Sequence, residues 1–222
     1  MRNLLKRIAS VLPTRWQQAL KRLHLGRAIR RGEFTSDEPE FARLAEWVRP
    51  GDWAVDVGAN IGHYTFRLSQ LVGGSGRVIA LEPVPLTFEL LAANAARLAH
   101  ANVTLLNVAA SDQPKAVTMT LPKFHTGLDN YYMASITEGG TGGLQTLSVP
   151  IDSLELPHAV SLIKLDVEGH ELPALRGMRR LLQRDRPTLI VEGNSIDVAS
   201  ELFGLGYRME QIPGSPNRIF RA

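Results

Sequence analysis

Three stretches of this 222-residue chain carry residue types at spacings suited to chemistry. The first is Val55-Asp56-Val57-Gly58-Ala59-Asn60-Ile61-Gly62, an apolar run that turns through glycines into a helical pattern. Glycines there let backbone come close to a ligand, and the N–H groups opening the helix face it. Glu82 follows Gly62 by 20 residues and ends the next apolar run, where a carboxylate can accept both hydroxyls of a ribose. Asn107 ends the third run, ahead of Ala109, Ser111 and Asp112; its amide is placed to line a base or to make an Asx turn. Together these features predict a nucleoside-bearing cofactor. The spacing narrows its kind, because a dinucleotide turn, G-x-G-x-x-G, needs glycine where Asn60 stands, and Asp56 is a poor neighbour for phosphate. A carboxylate at that point suits the cationic sulfonium end of S-adenosylmethionine, with Asp56, Gly58, Asn60, Gly62, Glu82 and Asn107 as the cofactor-binding set.

The second stretch, Ile163-Lys164-Leu165-Asp166-Val167-Glu168-Gly169-His170-Glu171, crowds five ionisable groups at a strand end, where the transferable methyl would point. Methyl transfer needs in-line approach of the acceptor, and a weakly nucleophilic hydroxyl also needs a general base. Asp166 or His170 could be that base, with Lys164 beside them as a third catalytic candidate. The plainer reading has Lys164 paired with a carboxylate, Asp166 bonded to its loop, and Glu168 and Glu171 capping a helix. Glu192, ending the next strand, completes the rim, and Asp166, Glu168, His170 and Glu192 could also hold a magnesium ion with water. The chain has no H-E-x-x-H, G-x-S-x-G or phosphate-loop pattern, so zinc protease, serine hydrolase and nucleoside triphosphatase chemistry lack support.

These residues need a frame. Apolar runs at Trp53–Val57, Arg77–Glu82, Val103–Asn107, Ser161–Asp166 and Pro187–Glu192 alternate with helical patterns at Gly62–Leu71, Pro85–Ala99, Glu171–Gln183 and Ile196–Leu205. That is the βαβ signature of an α/β domain with a parallel sheet, which binds ligands at the carboxyl ends of its strands. Residues 116–121 and 147–151 alternate like antiparallel strands, and the Gly-rich stretch from Pro122 to Thr146 has the length of a lid, with Tyr131 and Tyr132 able to stack on an acceptor. Tyr207–Ile212 and Arg218–Phe220 flank a turn and predict a closing hairpin.

Charge is unevenly spread. Nine of the 25 basic residues fall in residues 1–31, which hold no acid, leaving 16 basic against 22 acidic residues in the rest. The body is therefore acidic, and with 6% aromatic residues it is not expected to bind nucleic acid. Leu4, Leu5, Ile8, Val11 and Leu12, then Trp16, Leu20 and Leu23, recur at helical spacing, predicting two short basic amphipathic helices. They would either cover an apolar face of the main domain or lie on an anionic membrane surface. We read residues 1–40 as this arm and 41–222 as the main domain, without an export signal, without cysteine chemistry, and cytoplasmic.

The blocks Asp56–Gly62 with Tyr64, Glu82-Pro83-x-Pro85-x-x-Phe88 with Asn94, and Lys164–Glu171 with Leu175 and Gly177 resemble, in order and spacing, the FkbM-type family of S-adenosylmethionine-dependent methyltransferases. The resemblance spans roughly Asp52 to Glu192 and leaves the basic arm outside. It implies the Rossmann-like class I methyltransferase fold, a seven-stranded, mostly parallel sheet with an antiparallel last strand. It also implies O-methylation of a small-molecule or glycan acceptor. Asp56, Gly58, Asn60, Gly62 and Glu82 would then surround the cofactor, with Asp166 near the reacting methyl. Two other readings stay open from the residues: a catalytically inert scaffold of the same fold, and a nicotinamide-dependent oxidoreductase.

Overall fold

Alternate residues of the strand Trp53–Val57 (β1) are all apolar or buried, so the strand must be covered on both faces, as in a parallel sheet between helices. The computed structural model, which describes residues 13–122, 133–137 and 143–222, has that arrangement. The other strands of the sheet are β2 (Arg77–Leu81), β3 (Val103–Leu106), β8 (Val160–Leu165), β9 (Thr188–Glu192), β10 (Arg208–Gln211) and β11 (Asn217–Arg221). Their order is β10-β11-β9-β8-β1-β2-β3. β11 pairs antiparallel with both neighbours and every other pairing is parallel. The sheet is thus the seven-stranded one expected, its last strand reversed.

The two faces divide the core cleanly. Val55, Val57, Ile163, Leu165, Leu189 and Val191 face α5 (Glu171–Arg176), α6 (Arg179–Asp185) and α7 (Ile196–Gly204). Ala54, Val78, Leu162, Ile190 and Ile219 face α3 (His63–Val72), with Phe41 from a 3-10 turn at Pro39–Arg43 and Leu44 from α2 (Leu44–Trp47). Near its carboxyl end this second face stops being apolar. Asp56, Lys164, Glu192 and Asn217 continue the same alternation across β1, β8, β9 and β11, so a polar row borders the core.

Two departures from the sequence reading have clear causes. The helix expected over Glu171–Gln183 breaks at Gly177–Met178 into α5 and α6. Gly177 lies against the backbone of Ser111, and a Cβ there would come within 1.9 Å of the Ser111 carbonyl oxygen, so that close approach sets the break. The helix expected after Pro13 is α1 (Thr14–Arg31), an 18-residue helix and not a short one. It lies on α4 (Pro85–Ala95) through Leu25, Ala28 and Ile29, which meet Phe34, Ile61 and Leu90, and through an Arg22–Glu89 ion pair at 2.9 Å. Trp16, Leu20 and Leu23, expected to form its apolar face, are exposed. The reading for Leu4 to Leu12 and for Tyr131 and Tyr132 lies outside the described residues.

A second, smaller sheet, β4-β7-β5-β6, comprises β4 (Ala109–Ala110), β5 (Lys115–Thr120), β6 (Ser135–Thr137) and β7 (Leu144–Val149). The alternation read over 116–121 and 147–151 corresponds to β5 and β7, an antiparallel pair. Met119, Ala134 and Val84 make its small core beside the carboxyl end of β2. Replacing Gly177 with Ala forces Ser111 and α5 apart, and should cost about 2 kcal/mol, read as a fall in melting temperature of about 4–8 °C by thermal unfolding.

Candidate active site

Two cavities open beyond the carboxyl ends of the parallel strands and share a wall. One, about 620 Å³, is lined by Glu82, Pro83 and Val84, by Val108 to Ala110, by Met119, Ala134 and Ile136 of the small sheet, and by Glu168. The other, about 580 Å³, is lined by Ser36, Glu38, Asp56, His63, Tyr64 and Lys164. Gly58, Asn60 and Asp166 belong to both. Both volumes include the open space at the cavity mouths.

Local chemistry fixes the shared wall. Gly58 has φ +77° and sits against the loop after β8, where a Cβ would lie 1.7 Å from the Asp166 carbonyl oxygen, so two strand ends meet at a contact that admits no side chain. Asn60 also takes a left-handed conformation, φ +52°, and its Oδ1 accepts from the Ile61 N–H at 2.8 Å. The Asn60 N–H donates to Glu82 Oε2 at 2.8 Å, and the Val84 N–H to Oε1 at 2.9 Å. Both Glu82 oxygens are thereby aimed, and each keeps a lone pair for a ligand hydroxyl.

The acids of this rim are strongly perturbed. Burial, only partly offset by the Thr65 hydroxyl and Lys164, pushes Asp56 up to about 6. Burial likewise pushes Glu82 up to about 7 against its two backbone donors. Glu192 rises to about 8, first because it hydrogen-bonds Asp166 and then because it is partly buried. Burial would raise Asp166 too, but the Glu192 hydrogen bond and the Lys164 ammonium, 3.2 Å from Oδ2, outweigh it and hold Asp166 below the usual carboxylate range. Asp166 is therefore ionised while Glu192 keeps their shared proton. Lys164 is 2% exposed, lies 3.4 Å from Asn217 Oδ1, and sits 5.2 Å over the Tyr64 ring.

Not every expected residue reaches a cavity. Asn107 donates through its amide to the carbonyls of Glu82 and Pro83, at 2.8 and 3.1 Å, and so pins the loop after β2 instead of lining a base. Val108, Ala109 and Ala110 occupy the wall instead. Gly62, with φ +94°, is where α3 packs on α4: a Cβ would meet Leu91 at 2.6 Å. His170 lies 2.9 Å from the Ser111 hydroxyl and lines neither cavity, and Glu171 accepts from the Gly169 N–H at 3.1 Å, closing its own loop. Asp166, Glu168 and Glu192 do converge, with carboxylate oxygens within 4.8 Å of one another. Lys164 and the shared proton offset two of its three negative charges, and His170, expected as a fourth magnesium ligand, bonds Ser111 instead.

The sequence reading missed the strap ahead of α2. Ser36 and Glu38 line the second cavity, the Tyr64 hydroxyl donates to Glu38, and buried Glu40 accepts from the Asn217 amide. Their one sequence signal is the acidic pair beside Phe34 and Phe41.

Apart from Asn217, the residues of the polar row, Glu82, Asp166 and the Gly58 contact all fall within the span matched by the methyltransferase FkbM domain, residues 56–209. The chain belongs to the FkbM methyltransferase family. It is 30% identical over 142 residues to the hexuronic acid methyltransferase AglP of Haloferax volcanii, an overlap of 63% of this chain and 55% of that protein. A methyltransferase FkbM from Methylobacillus flagellatus KT superposes with a TM-score of 0.54 at 21% identity, over 83% of this chain and 50% of the other. A SAM-dependent methyltransferase from Aquifex aeolicus does so at 0.50 and 15% identity, over 83% and 90%. The FkbM-family chain thus has the class I methyltransferase fold, and it spans about half the length of AglP and of the Methylobacillus protein.

The raised acids give this family member a testable electrostatic signature. Glu82 and Glu192 hold protons more tightly in the folded chain than in the unfolded one, so raising the pH takes protons from the unfolded state first and weakens the fold. Burial lowers His63, which acts oppositely but only below its ordinary value of 6.5. The melting temperature of the ligand-free chain should therefore fall from about pH 6.5 to about pH 8.5 by scanning calorimetry, with a shallower fall for Glu192→Gln.

Proposed function

We propose that the chain is an S-adenosylmethionine-dependent methyltransferase that O-methylates a hydroxyl of a sugar, as a free glycan, glycolipid or polysaccharide precursor. The observation that carries this reading is the wall common to both cavities at the strand ends, where Asp166, held below the usual carboxylate range by Glu192 and Lys164, borders both spaces. Family membership supports methyl transfer, and the name of the hexuronic acid methyltransferase relative supports a sugar acceptor.

S-adenosylmethionine supplies an activated methyl on a cationic sulfur. The lining fits a cation: among the described residues of the two cavities, Lys164 is the only lysine or arginine, against Glu38, Asp56, Glu82, Asp166 and Glu168. Glu82 would accept the two ribose hydroxyls through the lone pairs its backbone donors leave free. Val84, Met119, Ala134 and Ile136 give the first cavity an apolar side for the base.

Asp166 then serves the acceptor. Its carboxylate receives the hydrogen bond of the attacking hydroxyl, orients the oxygen for in-line approach and takes its proton as the new bond to carbon forms. Lys164 holds Asp166 by charge, which makes Lys164 a positioning residue. Glu192 retains the shared proton, so Asp166 stays free to accept one.

Calorimetric titration with S-adenosylmethionine, S-adenosylhomocysteine and NAD tests the cofactor. Binding of the first two alone, weakened roughly 10–100-fold in Glu82→Ala, is expected. Binding of none would favour an inert scaffold, and NAD alone would mean a dehydrogenase. With a methylated sugar acceptor in hand, Asp166→Asn should lower kcat by about 10²–10⁴-fold while leaving S-adenosylmethionine affinity nearly unchanged.

A further inference from the structure

Helix α1 docks by one face and offers the other to solvent. Leu25, Ala28 and Ile29 meet the body, and Arg22 is tied to Glu89. On the opposite side Trp16, Leu20 and Leu23, at intervals of four and three residues, are 56%, 47% and 58% exposed. Large apolar side chains seldom stand in such a row without a partner. The same stripe continues toward the C-terminal end of the helix as Arg27, Arg30 and Arg31, all exposed. No acid occurs in residues 1–31, so nothing on this helix neutralises the face.

We propose that the outer face of α1 binds an anionic lipid surface, with Trp16, Leu20 and Leu23 seated among the headgroups and acyl chains and the three arginines on the anionic headgroups. An indole and two leucines in a row flanked by cations match the chemistry of that boundary, apolar on one side and negatively charged on the other. A nucleic acid would use the cations but leave the stripe in water, and a protein partner would need acids that a lipid surface already supplies. The placement also has a consequence for the site: Ser36, on the wall of the second cavity, follows the C-terminal glycine of the helix, Gly32, by four residues, at most about 14 Å of chain. The face is separate from the residues assigned to methyl transfer, so its test does not depend on that reading.

Sedimentation of the full chain with vesicles of phosphatidylcholine containing about 30% phosphatidylglycerol tests the proposal. Co-sedimentation is expected, falling at least about tenfold in a Trp16→Ser, Leu20→Ser, Leu23→Ser variant, at about 0.5 M salt, and with phosphatidylcholine alone. The variant should keep a melting temperature close to the parent's, since the three side chains are exposed and join none of the apolar clusters among the described residues. The proposal is overturned by no binding of the parent chain to anionic vesicles at low salt, by binding unchanged in the variant, or by a concentration-dependent dimer of the parent that the variant loses, which would assign the stripe to a second copy. A variant that melts lower while the parent ignores vesicles would assign it to the chain's own residues 1–12, and would overturn it as well.

Discussion

One buried ammonium organises the chemistry of this fold. Lys164 enters the sheet face at a position paired with Asp56, two residues before Asp166, and almost all of its side chain is out of water. A lone charge there would be untenable, so carboxylates gather around it until the balance reverses. Asp166 stays ionised, Glu192 is pushed to keep a proton, and Asp56 and Glu82 are raised chiefly by burial, which Lys164 offsets only in part at Asp56. The lysine sets which acid is available as a base and which is not.

The same balance ties stability to ligand binding. A rim with more carboxylates than cations repels itself when it is empty of a cation, and it relaxes when one arrives. A group with permanent positive charge, such as a sulfonium, would supply that charge without proton uptake. The fold therefore leaves part of its electrostatic stabilisation to its ligand.

Much of the architecture was legible in sequence, and the failures share a cause. Strands β1, β2, β8 and β9 announce themselves as short apolar runs closed by Val57, Glu82, Asp166 and Glu192, because a strand buried on both faces leaves little else to encode. Asp56, Gly58, Asn60, Glu82, Lys164 and Asp166 could be placed for the same reason: each sits at or just past a strand end. What sequence could not show is where a side chain turns once it leaves that end. Asn107 turned to its own loop and His170 to Ser111, while Gly62 serves a helix contact instead of a ligand. Glu38 and Glu40 were missed because their partners, Tyr64 and Asn217, lie 24 to 177 residues away along the chain. The docked side of α1 stayed open because its exposed face is the more apolar in sequence, and periodicity cannot say which stripe of a helix finds a partner.

The contact of Gly58 with the Asp166 carbonyl has a meaning for how such a chain can diversify. The two loops that meet there cannot shift independently, since no side-chain atom separates them to absorb a change. Any remodelling aimed at one loop is transmitted to the other, so neither is a promising place to alter selectivity. The borders of the two cavities that do not meet at this contact lie elsewhere: in the strap carrying Ser36 and Glu38, and in the small sheet carrying Met119, Ala134 and Ile136. Those are the segments an engineer would randomise to change what the cavities admit while leaving their shared wall untouched.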